Sequence, residues 1–155
     1  MTLNYFQSRR QHGKINEEFY KPIIENDIKD KLNSNNEYNL YDFENENFKI
    51  ELKCREVERM KYKTTIISYN KVEKGLEYLK DDKRIIFYFA FKNDGLYKFE
   101  LKEDNYLNLK LSNVCCRFKK NKILHMEIPV ELLTFVCHET PIQGEYSKKL
   151  EKLKQ

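Results

Sequence analysis

The chain has 155 residues, 40% of them hydrophobic and 14% aromatic, with a formal net charge of +4 from 29 basic and 25 acidic side chains. That length fits one domain with its own core, and the Phe, Tyr, Ile and Leu content excludes a disordered chain despite a mean hydropathy of -0.82. No apolar run is long enough for a transmembrane span or a secretory leader, so a soluble intracellular protein (cytoplasmic or nuclear, or in the host cell if the source is a virus) with no membrane partner is expected.

From Ile15 to Leu32, apolar residues at Ile15, Phe19, Tyr20, Ile23, Ile24, Ile28 and Leu32 predict an amphipathic helix, entered after Gly13 and capped near Asn16. Pro22 is expected to kink it or delay its start. After the Asn-rich segment NSNNEYN, the stretches YNLYDF and FKIELKCR flank a turn around Asn45 and Asn47 and read as a β-hairpin. KTTIISY reads as a strand. NKVEKGLEYLKDD reads as a short crossover helix capped at Asn70, with Val72, Leu76 and Leu79 inward.

RIIFYFAF is almost wholly apolar, as a strand buried on both faces must be, and NDG turns it into LYKFELK. NVCCRF and KILHMEIP predict two further strands ending at Pro129, and VELLTFV a closing helix. The expected fold is α/β, a mixed central sheet flanked by helices with a small C-terminal β/α extension. It forms a single domain over residues 1–142, followed by a charged tail over 143–155.

Several chemistries drop out. Gly13, Gly75, Gly95 and Gly144 cannot build a phosphate-binding P-loop. Cys54, Cys115, Cys116 and Cys137 form no CxxC pair and read as reduced thiols, mostly in the core. His12, His125 and His138 share no metal-ligand spacing and read as structural.

In FKIELKCR the two-residue repeat of a strand puts Phe48, Ile50, Leu52 and Cys54 on one face and Lys49, Glu51, Lys53 and Arg55 on the other. Hairpin pairing brings Asp42 opposite this strand, so that its carboxylate meets that of Glu51. Two adjacent carboxylates raise each other's pKa unless a cation neutralises them, and hard oxygen ligands select Mg²⁺ or Mn²⁺. Such an ion can activate water against a phosphodiester, while Lys53, two residues along the same face, orients that water and offsets developing charge. An ExK alternation alone is commonplace on a solvated strand; the added Asp42, separated from Glu51 by eight intervening residues, and the preceding glutamate-bearing helix make the pattern specific.

These residues, from Gly13 to Phe91, resemble the PD-(D/E)XK nuclease superfamily of restriction endonucleases, junction resolvases and repair nucleases. In that family a helix, three strands, a helix and a further strand carry a first-helix Glu, a hairpin Asp and a (D/E)xK triplet around one or two divalent ions. Asp42, Glu51 and Lys53 match, although Tyr41 stands where the motif has Pro. A narrower likeness, through YDF, IELKxR, the Tyr-Lys-Thr-Thr strand and the helix-leading Asn-Lys, is to small nucleases of large DNA viruses and phages.

The resemblance implies a Mg²⁺- or Mn²⁺-dependent DNA endonuclease of repair, recombination or genome processing, acting on duplex or branched DNA as a possible homodimer. Glu17 rather than Glu18 is the expected first-helix acid, because two helical turns on it overlays Ile24 at the border of the apolar face. Lys71 is expected beside the scissile phosphate, with Thr65 and Ser68 assisting. The cations Lys49, Arg55, Arg59, Lys61 and Lys63, interleaved with Tyr62 and Tyr69, form a candidate phosphate- and base-contacting surface. Two other classes compete: a nucleic-acid-binding module that keeps the fold without cleavage, and an interaction domain whose ionic strand face meets solvent or a protein.

Overall fold

The computed structural model describes residues 5–115 and 122–140; the expected charged tail, Cys116 and the end of NVCCRF lie outside the described residues. Helix α1 (Tyr5–Ile28) begins well before the expected start, running through Gly13 and carrying Pro22 inside it. Asn16 therefore caps nothing. The helix stops where Lys29 takes a positive φ of 57°. Strands β1 (Asn33–Ser34) and β2 (Phe43–Glu44) are two residues each, so the hairpin has one short arm and one long one, β3 (Phe48–Arg55). Then follow β4 (Thr64–Ser68), α2 (Tyr69–Leu79), β5 (Arg84–Phe91), β6 (Gly95–Leu101), β7 (Leu111–Cys115), β8 (Lys122–Pro129) and β9 (Thr134–Cys137). Helix α2 starts after Ser68 rather than Asn70; the Ser68 hydroxyl is hydrogen-bonded to the Asn70 side chain at 2.6 Å.

The strands form a six-stranded mixed sheet in the order β1-β2-β3-β5-β6-β9 and a three-stranded sheet in the order β4-β8-β7. Strand β3 runs parallel to β5, with Glu51 beside Phe87 and Lys53 beside Phe89; the other pairings are antiparallel. A parallel pair needs a crossover, and β4 with α2 supplies it. KTTIISY is thus a strand of the second sheet. VELLTFV is no helix: Val130–Leu132 makes one 3-10 turn, and β9 then closes the edge of the main sheet. Its Thr, Phe and Val suit a pleated edge better than a helical turn.

Two cores flank the main sheet. On one side Tyr20 and Ile24 of α1 pack on Phe43, Phe48, Ile50, Leu52, Ile86, Tyr88 and Leu96. On the other, Val72 of α2 with Ile67, Met126 and Ile128 of the smaller sheet covers Ile85, Phe87, Phe89 and Phe91. The charged face of β3 lies on this second side, next to those β5 residues. Gly75 lets α2 sit close: a Cβ there would lie 3.0 Å from Leu101 Cδ2, 3.1 Å from Ile85 Cγ2 and 3.2 Å from Tyr41 Oη. The ionic face of FKIELKCR is therefore roofed by protein. Among the described residues no helix is long and apolar enough to cross a membrane.

Candidate active site

Glu51 is the centre. It is only 2% exposed, held in the middle of β3 among aromatic residues of β5. Its Oε1 takes the ammonium of Lys53 at 3.0 Å and also pairs with that of Lys71, whereas its Oε2 is buried and has no hydrogen-bond partner. A buried polar oxygen without a donor costs about 1–3 kcal/mol, and more when it carries charge. One oxygen is oversupplied with cations and the other has none.

The backbone explains how Asp42 arrives. Phe43 lies opposite Ile50 and Glu44 opposite Lys49, so the antiparallel register extended one step sets Asp42 opposite Glu51. The Asp42 amide donates to the Ile50 carbonyl at 3.0 Å. The next ladder bond is made by the side chain: the Leu52 amide donates to Asp42 Oδ2 at 2.8 Å. Strand β2 thus ends by turning a ladder acceptor into a carboxylate, fixing it beside the strand that carries Glu51.

Glu17 completes the acids. It is half-buried on α1 near Asp42, and its carboxyl is pushed up to about 7 by burial first, then by the negative charges of Asp42 and Glu51. Glu18 is exposed. Burial likewise raises the Glu51 carboxyl and lowers the Lys71 ammonium, each opposed by attraction to the other. Lys71 is steered by α2, whose backbone carbonyl at that residue accepts the Tyr41 hydroxyl at 2.6 Å. All five expected site residues, Glu17, Asp42, Glu51, Lys53 and Lys71, therefore fall in one cluster.

Can these groups hold a divalent ion? Among the described residues no three His, Cys, Asp or Glu side chains converge as a ready cage. Mg²⁺ does not require one: it keeps several waters and takes one or two carboxylates together with substrate phosphate oxygens. The groups that bear on this lesser demand are Glu51 Oε2, which is unpartnered, and Asp42 and Glu17, whose charges raise the pKa of their neighbours.

The surrounding cations separate into two groups. Lys49 is paired with Glu44 and lies 4.7 Å from the Tyr78 ring centroid. Arg55 ties β3 to β4, donating through Nε to Thr65 Oγ1 at 3.3 Å and through Nη2 to the Ile66 carbonyl at 2.5 Å. Lys61 and Lys63 stay exposed, as does Tyr62, while Tyr69 packs against the core.

Cys54 is exposed rather than core, because it stands near the end of β3, past the residues that β2 pairs. Cys137 is half-buried; both thiols are free. His125 and His138 each bond a backbone carbonyl through Nδ1, of Ile123 at 2.8 Å and Asp94 at 3.2 Å. Tyr41, buried, is the supporting residue whose hydrogen-bonding role the sequence did not disclose, marked only by its YDF context; Thr65, expected to assist at the phosphate, is buried and accepts from Arg55.

No family model, curated protein or solved structure matches the chain.

Proposed function

We propose that this chain is a Mg²⁺- or Mn²⁺-dependent nuclease that hydrolyses phosphodiester bonds of DNA. The observation that carries the reading is Glu51: a carboxylate 2% exposed, with one oxygen unpartnered, set among two further acids and two ammonium groups. Such a concentration of half-satisfied charge costs stability, and strain of this kind gathers at functional sites.

Asp42 and Glu51 are the proposed ligands of the ion, with Glu17 as an outer ligand. When bound, the ion supplies Lewis-acid polarisation of the phosphoryl group and acidifies water. Lys53, a third exposed at its side chain, can face solvent and hold the attacking water while remaining 3.0 Å from Glu51 Oε1. Lys71 then lies where its charge offsets that developing on the phosphoryl oxygens. Water attacks phosphorus, the P–O bond to the leaving oxygen breaks, and the proton passes to solvent or to the leaving group. A homodimer would present two such sites, one for each strand of a duplex.

One observation favours a second reading, a nucleic-acid-binding module without cleavage: Lys53 and Lys71 both pair with Glu51 Oε1, which offsets its charge with protein groups. A cleavage assay separates the two. With Mg²⁺ or Mn²⁺ and duplex, branched and single-stranded DNA, wild type should cut at least one substrate, Glu51→Gln should be slower by about a thousandfold, and Lys53→Ala by about a hundredfold. DNA binding without metal-dependent cleavage would select the binding module, and unchanged cleavage in both variants would remove the site assignment.

A further inference from the structure

Beyond the acid cluster, the connection from β3 to β4 folds back as a 3-10 turn over Arg59–Lys61 and encloses a pocket of about 270 Å³. Its floor is Phe91 and its walls include Arg55, Arg59, Thr64 and Tyr62, with Glu58 as the acidic member. Tyr62 is 60% exposed at this pocket. The Arg59 guanidinium lies 5.0 Å from the Tyr97 ring centroid, and its Nε is buried with no hydrogen-bond partner. Arg55 has used Nε and one Nη on Thr65 and Ile66, so its remaining N–H donors are not engaged by those bonds.

Two guanidinium groups lining a pocket beside an exposed aromatic ring suit a nucleotide: positive charge for phosphate, a π-face for the base. The pocket is smaller than the usual range for drug-sized ligands, so it takes one nucleotide and not a stacked base pair. Arg55 lies on the same face of β3 as Glu51, four residues on, which is about 13 Å at strand rise. One DNA strand can therefore reach both.

We propose that this pocket binds a single unpaired nucleotide of the substrate, with its base on Tyr62 and a phosphate on Arg55 and Arg59, so that the enzyme acts on flapped, branched or frayed DNA in preference to continuous duplex. The proposal rests on the nuclease reading for its link to cleavage, but the binding it requires can be measured separately.

The test compares a fully paired duplex with the same duplex carrying a single-stranded flap, by fluorescence anisotropy in EDTA. Wild type should bind the flapped DNA about tenfold more tightly, as expected for one stacked base. Tyr62→Ala should lose that margin and keep its duplex affinity; Tyr62→Phe should retain it. A 2-aminopurine placed as the unpaired base should be quenched by wild type and not by Tyr62→Ala. Tyr62 is exposed, so neither variant threatens the fold. Equal affinity of wild type for both DNAs, or equal weakening of both by Tyr62→Ala, overturns the pocket, and metal-dependent cleavage would then leave the nuclease reading standing. A Tyr62-dependent margin without cleavage of any DNA supports the pocket and overturns the nuclease.

Discussion

Two acid sites lie on opposite sides of the main sheet, and they are built differently. Asp27 of α1 accepts the Tyr88 hydroxyl at 2.6 Å and the Lys98 ammonium at 2.8 Å, and Tyr88 and Lys98 are cross-strand partners on β5 and β6. One acid is matched by one cation and one hydroxyl, all supplied by neighbouring structure. Glu51 has two cations on one oxygen, none on the other, and two like charges nearby. The first arrangement fastens a helix to a sheet. The second is stable only as far as the surrounding core forces it to be, and a divalent ion would relieve it.

Substitution should split the two sites most sharply in activity. Asp42→Asn should lower metal-dependent cleavage by about a hundredfold or more, while Asp27→Asn should leave the rate of the folded enzyme near wild type. Stability should split the other way. Asp27→Asn weakens two charge-assisted bonds and is expected to cost about 2 kcal/mol in denaturant unfolding. Asp42→Asn keeps an oxygen for the Leu52 amide and removes a negative charge from beside Glu17 and Glu51, so unfolding should shift by less than about 0.5 kcal/mol or move upward. A large loss of stability in Asp42→Asn would make that acid structural too.

A smaller effect follows from Glu17, whose carboxyl is raised to about 7 in the metal-free protein. Its folded pKa exceeds the unfolded value, so between about 4.5 and 7 the folded state holds more protons and stability falls as pH rises. Wild type without metal should gain on the order of 2 kcal/mol on acidification through that window, set against the losses of other carboxylates. Glu17→Gln should lack this component. Metal affinity should run in the opposite direction, dropping below about pH 7 as Glu17 takes up its proton. A pH-stability difference of zero between wild type and Glu17→Gln would place Glu17 outside the cluster.

The parts of this site that were legible in the sequence are those governed by local periodicity. The alternation of FKIELKCR separates Ile50 from Glu51, and the turn at Asn45–Asn47 fixes the register that sets Asp42 opposite Glu51. The helical phase that prefers Glu17 over Glu18 is equally local. Nothing local announces that β4 leaves the main sheet to pair with β8, because strand partners across sixty residues are chosen by packing and not by propensity. The same non-local cover, α2 and the smaller sheet, turns an apparently solvated ionic face into the buried setting of Glu51. The start of α1 and the strand character of β9 were missed for a related reason: tertiary contacts extend or override short apolar patterns.

The central claim, that the Glu51 cluster is a divalent-cation site and the Asp27 cluster is not, is tested most directly by titrating Mn²⁺ into the protein and following the free ion by electron paramagnetic resonance. Wild type and Asp27→Asn should show the same saturable binding, and Glu51→Gln should lose it. Binding that survives in Glu51→Gln, or saturable binding absent from wild type with and without a DNA oligonucleotide, would contradict the account.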